Sequence, residues 1–325
     1  MAEYINIRGQ NIEVVASDPA NPTLGQIWYN STSNTLKGEG YGAGSWATGN
    51  NLNSGRRGLS GCGTQTAGLA FGGYPGSPPQ SNATEEYDGT NWVTSPGTLN
   101  TARAGLAGTG TQTAGLAVGG GTPPVVGATE EYNGTSWTNS NPLTTIRDIL
   151  TGTGPQTAAL VFGGRDTTPA PTGATESYDG NSWTASAGSL NTARSGLAGA
   201  GIQTAALAFG GWDGTAATGV TEEYDGSSWT SVNSLNTARE NTSGAGTQTA
   251  AVAFTGYDGS YIAATEEYDG TSWTTSPASM STARSSVGRA GTQASALIFG
   301  GAPGALTATE EWTGSAPVTK TITAS

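Results

Sequence analysis

Residues 190–230 read LNTARSGLAGAGIQTAALAFGGWDGTAATGVTEEYDGSSWT, and closely similar sequences recur about six times along the chain. An arginine marks each copy, and successive arginines are separated by 47, 44, 47, 45 and 45 residues. A period of roughly 20–50 residues is typical of proteins built from repeated structural units. The marker arginines are Arg56, Arg103, Arg147, Arg194, Arg239 and Arg284.

Each copy contains four short segments with the length and composition of β-strands. The copy quoted above contains SGLAGAG, TAALAFGG, TEEYDG and, running just past its end, SSWTSV. Asp225-Gly226 has the composition of a two-residue hairpin turn, because Gly and Asp tolerate positive φ better than most residues. No copy shows a sustained helical period of apolar residues. The sequence therefore predicts an all-β repeat of four strands.

A four-stranded unit of about 45 residues cannot bury both of its faces alone, so it must pack against its neighbours. A radial arrangement of such sheets, a β-propeller, achieves this. The small residues of the first strand suit the crowded position near the axis. The Trp of the last strand suits the wide outer rim, where the sheets diverge.

The landmarks of the repeat resemble those of the kelch family of β-propellers. In that family a Gly-Gly pair closes the second strand, a Tyr follows, and a Trp comes about five residues later. Here these are Gly210-Gly211, Tyr224 and Trp229, and the likeness covers about residues 41–314. With six marker arginines, the resemblance implies an all-β fold, a six-bladed kelch-like β-propeller with a short N-terminal β segment.

The two ends of the repeat array decide how it closes. Tyr41 and Trp46 keep the Tyr-to-Trp spacing of the repeat, so residues 41–50 resemble a detached fourth strand. The last copy has Pro317 where its Trp belongs. We expect residues 41–50 to complete the last blade. The rival is that residues 318–323, whose side chains alternate in character, form that strand.

Residues 1–40 lie outside the repeat. Ile5 and Ile7, followed by Ile12 and Val14, predict a short strand pair, and residues 27–36 predict a hairpin. We therefore expect two parts, an N-terminal attachment and hairpin segment over residues 1–40 and the six-bladed propeller over residues 41–325.

Composition limits the classes of partner. The net charge is −12 with 11% charged residues and a pI near 4.3, which disfavours binding to nucleic acid and to anionic membranes. No apolar run approaches a membrane span, and the N-terminus lacks the layout of a signal peptide. Cys62 is the single cysteine, so no intrachain disulfide can form, and we interpret it as a small turn residue.

A Thr-Glu-Glu unit recurs in five copies, and the remaining copy has Thr-Glu-Ser at Glu176-Ser177. Paired carboxylates could serve as glycosidase acids. However, neighbouring strand residues point to opposite faces, and a catalytic pair should occur once. We expect one Glu of each unit to meet the marker arginine of its own or the next blade and the other to face water. The full pairs are Glu85-Glu86, Glu130-Glu131, Glu222-Glu223, Glu266-Glu267 and Glu310-Glu311.

Catalysis and metal binding have little support in the sequence. The chain contains no histidine, which removes Ser-His-Asp and Cys-His nucleophile systems and the commonest metal ligand. The Asp-Gly turns lack the dense oxygen-ligand spacing of a calcium loop. We therefore expect no catalytic residues, no metal and no cofactor.

Variation between copies concentrates in the loops that join the second and third strands. A rigid scaffold with variable loops on one face is suited to binding. Their aromatic residues could stack on sugar rings and their charged residues could hydrogen-bond hydroxyls; alternatively, an aromatic that follows Gly-Gly packs on the sheet edge. The candidate ligand-binding residues are Tyr74, Arg165, Asp166, Trp212, Asp213, Tyr257, Asp258 and Tyr261.

Three stretches also resemble bacteriophage virion proteins, especially those of phages of marine bacteria. They are GQIWYNSTSNTLKG near the N-terminus, the repeat wording LNTARxGLAGxGTQTA, and the C-terminal ATEEWTGSAPVTKTITAS. This resemblance implies a non-enzymatic virion structural protein that serves as a fibre tip, a receptor-binding module or a capsid decoration. It implies a location in the virion, after assembly in the host cytoplasm.

The implied partners are other virion proteins, through the N-terminal segment, and a host surface glycan or protein. Nucleic acid and membrane insertion are not expected, and homo-oligomer formation stays open. Two alternatives remain: a virion enzyme that acts on glycans with loop or channel carboxylates, and an intracellular kelch scaffold that binds a protein.

Overall fold

The structure, a computed structural model, describes residues 12–322, and this range contains strands and no helix. Ile5 and Ile7 lie outside the described residues, as does residue 323 of the rival closing strand. The strands are β1 Glu13–Val15, β2 Ile27–Asn30, β3 Thr35–Tyr41, β4 Ser45–Gly49, β5 Ser60–Gly63, β6 Gly68–Phe71, β7 Thr84–Tyr87, β8 Trp92–Thr94, β9 Ala107–Thr111, β10 Ala114–Val118, β11 Thr129–Tyr132, β12 Trp137–Ser140, β13 Thr151–Thr153, β14 Leu160–Phe162, β15 Thr175–Tyr178, β16 Trp183–Ala185, β17 Ala198–Ile202, β18 Ala205–Phe209, β19 Thr221–Tyr224, β20 Trp229–Val232, β21 Ser243–Gly246, β22 Ala251–Phe254, β23 Ala264–Tyr268, β24 Trp273–Ser279, β25 Gly288–Gly291, β26 Ser295–Phe299, β27 Thr309–Thr313 and β28 Pro317–Ile322.

These strands form seven four-stranded sheets in two compact units. One unit spans Ser45–Thr313, and the other combines the chain up to Gly44 with the chain from Gly314 onward. In the larger unit five sheets take four consecutive strands each, from β5 to β24, and the sixth has the order β25-β26-β27-β4. All pairings in these six sheets are antiparallel.

Successive sheets of the larger unit meet through their first strands. β5 contacts β9, β9 contacts β13, and the series continues through β17, β21 and β25, which in turn contacts β5. The repeated four-stranded sheets confirm the all-β part of the predicted fold and are consistent with a propeller-like fold.

The apolar core lies between neighbouring sheets. Phe209 at the end of β18 is fully buried, and its ring centroid lies 4.9 Å from that of Trp273 in the next sheet. Leu207 and Tyr268 belong to the same buried cluster. The chain then turns sharply at Gly210, whose φ of +66° is readily adopted only by glycine. The repeat thus alternates a short buried strand with a glycine-dependent reversal.

The sixth sheet is completed by β4, which precedes the first repeat in the chain. β4 pairs with β27, and Trp46 lies opposite Trp312. β28 instead pairs with β3 in the smaller unit, from Pro317 opposite Tyr41 to Ile322 opposite Leu36. The expected domain ends therefore need correction: the boundary falls at residues 44/45, and the last residues do not belong to the repeat unit. The reason is that β3 offers β28 a free edge, whereas β4 already covers the edge of β27.

The smaller unit contains the predicted hairpin, since β2 and β3 pair antiparallel across a tight turn. β1 pairs with β2 in parallel. Asp18 organises this sheet by accepting hydrogen bonds from Trp28 Nε1 at 3.1 Å, from Asn30 Nδ2 at 2.7 Å and from Lys37 Nζ at 2.6 Å. The hydrogen bond from Lys37 and those from Asn30 and Trp28 lower the pKa of Asp18 to about 2.

Two local predictions were wrong. The Asp-Gly segments are four-residue connections, because Tyr224 pairs directly with Trp229 and the Asp225 carboxylate accepts the backbone N–H groups of Ser227 and Ser228. Cys62 is a strand residue, not a turn residue. It is buried in β5, and its thiol donates to the Thr111 carbonyl at 3.3 Å.

Candidate functional site

The six marker arginines are fully buried, and each one forms an ion pair with the first Glu of the Thr-Glu unit in its own sheet. Arg194, for example, lies 2.8 Å from Glu222 and also donates to the carbonyls of Gly210 and Val220 at 2.7 and 2.5 Å. Burial lowers the pKa of Arg194, and the carboxylate partly offsets this. The arginines thus donate hydrogen bonds to backbone carbonyls at the sharp turn that follows the second strand. They are structural, as expected for a feature that occurs in every copy.

The second Glu does not simply face water, which corrects that part of the prediction. Tyr132 donates its hydroxyl to Glu86 of the preceding sheet at 2.5 Å, and Tyr87 donates to Glu311 of the sixth sheet at 2.6 Å. Tyr178 with Glu131 and Tyr268 with Glu223 repeat the contact. Burial and the neighbouring carboxylate raise the pKa of Tyr132 to about 12. The carboxylates therefore connect successive sheets.

Sequence reasoning missed two further sets of inter-sheet contacts. The indole of each repeat Trp donates to the Thr of the preceding Thr-Glu unit, and Trp46 donates to Thr265 at 2.9 Å. A Gln after each first strand donates to two carbonyls of the preceding sheet, and Gln65 reaches Ala296 and Trp312 of the sixth sheet. The signal was present, since both residues recur in every copy.

A cavity of about 480 Å³ lies where the first strands converge. Its charged lining residues are Arg57, Asp148, Arg165 and Arg289. Asp148 is buried and accepts two hydrogen bonds from Arg165, at 3.1 Å from Nε and 2.9 Å from Nη2. The hydrogen bond to Asp148 raises the pKa of Arg165. A cavity of this size suits a small molecule.

Of the predicted site residues, Tyr74 and Arg165 line this cavity. Tyr74 exchanges backbone hydrogen bonds with Arg57, and the Arg57 guanidinium carbon stands 5.1 Å from the centre of the Tyr74 ring. The structure thus brings one predicted aromatic residue and one predicted charged residue to the same opening.

The other predicted aromatic residues lie in two other loops, Trp212 in one and Tyr257 with Tyr261 in the other. Tyr257 and Tyr261 pack edge to face with ring centroids 5.4 Å apart, and Tyr261 is 37% exposed. Trp212 is half-buried and pairs through its backbone with Ser195 and Ala217. In these loops the residue after the glycine pair is therefore held by backbone bridges to neighbouring segments. Tyr261 is the most accessible of the four predicted aromatic residues.

The three predicted loop aspartates are engaged within their own turns. Asp166 accepts from the backbone N–H and hydroxyl of Thr168, and Asp258 accepts the backbone N–H of Ser260. Asp213 accepts from Thr215 and from the Ala216 backbone, and these hydrogen bonds lower its pKa to about 2. Their immediate task is to shape the loops.

Within residues 12–322 no group of three or more Cys, Asp or Glu side chains is placed to hold a metal ion. The same range holds no helix long and apolar enough to cross a membrane. No protein-family model matches the chain, and no curated protein sequence matches it.

Proposed function

We propose that the larger unit is a closed, six-bladed, kelch-like propeller. Three sets of contacts support a closed ring. The first strands meet in a cycle that returns from β25 to β5. Trp92 of the first sheet donates to Thr309 of the sixth, and Gln65 of the first sheet donates to carbonyls of the sixth. The N-terminal strand β4 completes the last blade in the same way as the fourth strand of the other copies.

We further propose that the protein is a non-enzymatic binding module. The observation that supports this is that the repeated polar side chains connect or brace the sheets. The polar residues that differ between copies and could bind a ligand therefore lie in the loops and the cavity. Among the described residues, the single carboxylate that lines the cavity is Asp148, and it is paired with Arg165. An acid pair for glycan hydrolysis would require two carboxylates flanking the bond.

The setting we propose is a bacteriophage virion, where the module would act as a fibre tip, receptor-binding unit or decoration. The resemblance of three stretches of sequence to phage virion proteins is the basis for this. The N-terminal segment would join other virion proteins, and the loops would contact a host surface glycan or protein. Weak single sites would suffice, because several copies on one particle raise the effective concentration.

The test replaces both Tyr257 and Tyr261 by Ala and measures binding of the purified protein to host cells. We expect binding to fall about tenfold or more with little change in the melting temperature, because Tyr261 is exposed and both residues lie in one loop. The matched control replaces Asp225 by Asn in a connection between the third and fourth strands, and it should leave binding intact.

Binding that is lost in the Asp225→Asn protein and kept in the tyrosine variant would contradict the proposed loop face. Release of reducing sugar from host glycans by the wild-type protein would instead favour the virion enzyme. Absence of the protein from purified particles would favour the intracellular scaffold.

A further inference from the structure

Arg289 is the one departure from glycine at a repeated position in the first strands. The position is the one in the first strand that lies opposite the next-to-last residue of the second strand. In the sixth sheet it is Arg289 of β25, which lies opposite Ile298 of β26. In the other five sheets this residue is Gly61, Gly108, Gly152, Gly199 or Gly244.

The Arg289 side chain reaches across the axis of the larger unit. Its Nη2 donates to the Gly152 carbonyl at 3.0 Å and lies 3.5 Å from the Thr151 hydroxyl, both in the third sheet. It lines the cavity described above and also a second one of about 320 Å³ beyond it. The guanidinium therefore stands between two cavities, with Nε and Nη1 left for another partner.

No carboxylate within residues 12–322 forms an ion pair with Arg289. Burial lowers the pKa of its guanidinium to about 10, so the group remains charged at neutral pH. The six marker arginines, in contrast, each have a glutamate. Arg289 is half-buried, and a charge partly withdrawn from water without a counter-charge is a candidate for binding a ligand of opposite charge.

The lining as a whole is basic in an acidic protein. Three arginines and one aspartate line the larger cavity, an excess of two positive charges, whereas the whole chain carries −12. Arg57 is exposed at this cavity beside Tyr74, and Arg165 is neutralised by Asp148. The field inside the cavity therefore favours an anion although the outer surface does not.

We propose that the axial cavity binds a small anion carrying a carboxylate or phosphate group, which accepts a hydrogen bond from Arg289 Nη1 or Nε. A guanidinium is a charged donor, and its hydrogen bonds to such an oxyanion are stronger than those between neutral groups. The volume of about 480 Å³ admits a molecule of monosaccharide or small organic acid size. This site is distinct from the Tyr257 and Tyr261 loop and does not depend on it.

The experiment measures the melting temperature of the full chain in inorganic phosphate, in acetate and in sodium chloride at equal ionic strength. Preferential binding to the folded state raises the melting temperature by mass action. We expect phosphate or acetate to stabilise the wild-type protein, and the stronger of the two identifies the head group. Arg289→Gly should weaken this binding at least tenfold, and Arg57→Gln should have a smaller effect.

Glycine is the matched replacement because five sheets already have it at this position, and Arg289→Gln provides a neutral side chain of similar length if the glycine variant does not fold. The tyrosine double variant should still bind the anion, which separates this proposal from loop-face binding. Equal stabilisation of the wild-type protein and both Arg289 variants would overturn the proposal. So would the absence of stabilisation of the wild-type protein by either anion.

Discussion

Thr255 occupies a position where the other five copies have a glycine with positive φ. The equivalent residues Gly72, Gly119, Gly163, Gly210 and Gly300 have φ between +64° and +69°, and Thr255 has +63°. A β-branched residue in this region is strained. The Thr255 side chain is fully buried, and its hydroxyl has no hydrogen-bond partner. The next copy has Val287 where four of the other copies have leucine.

We expect Thr255→Gly to increase the free energy of unfolding by about 1 kcal/mol, because relief of backbone strain exceeds the entropic cost of a glycine. Chemical denaturation of the two proteins measures the difference. The matched control is Gly210→Thr, which should be destabilising because an added Cβ would lie 2.8 Å from Thr242 Cγ2 and 2.9 Å from the Arg239 carbonyl oxygen. A destabilised Thr255→Gly protein would show that the threonine is held without strain.

At the scale of the element, β4 determines whether the sixth sheet is complete. Trp46 has its ring centroid 5.3 Å from that of Trp312 and 5.6 Å from that of Phe254 in the fifth sheet. Its indole donates to Thr265, as the other repeat tryptophans do in their sheets. This strand therefore supplies both an edge pairing and an inter-sheet contact.

Trp46→Ala should reduce the free energy of unfolding by about 3 kcal/mol, the lower end of the range for tryptophan truncation, because the ring is only partly buried. Trp229→Ala, at a buried equivalent position, should cost about 3–5 kcal/mol. Val318→Ala in β28 is the control and should change the stability of the larger unit little. A larger effect at Val318 than at Trp46 would mean that the C-terminal strand completes the sheet.

The sequence predicted these elements because the repeat places the same residues in every strand, and the Tyr41-to-Trp46 spacing located β4 far from its partner strand. It could not predict contacts that depend on which sheets are neighbours. Tyr132 and Glu86 each recur within their own copies, but their hydrogen bond crosses between copies. Arg289 was likewise visible as a departure from glycine, yet its proposed role follows from its position on the axis. The partner of β28 depended on the free edge of β3.

At the scale of the whole molecule, tyrosine hydroxyls connect the sheets in a way that alkaline pH should disrupt. Four such hydroxyls donate to a glutamate of the preceding sheet: those of Tyr87, Tyr132, Tyr178 and Tyr268. Burial, reinforced by the neighbouring carboxylate, raises the pKa of Tyr132 and of Tyr178 to about 12 from an ordinary value of 10.0. The same causes raise the pKa values of the other two.

Because the pKa of these tyrosines is higher in the folded protein, the folded state holds more protons than the unfolded state between pH 10 and about 12. The stabilisation they provide is therefore complete below pH 10 and is lost as the pH rises through this window. We expect the free energy of unfolding to fall steeply there, and the tyrosinate absorbance of the native protein to develop at higher pH than in denaturant. Glu86→Gln is the matched variant, since it keeps an acceptor for Tyr132 but removes the charge, and it should move the ionisation of one tyrosine towards its ordinary pKa. If all the tyrosines of the native wild-type protein ionised as they do in the denatured chain, these hydroxyls would not be the groups that link neighbouring sheets.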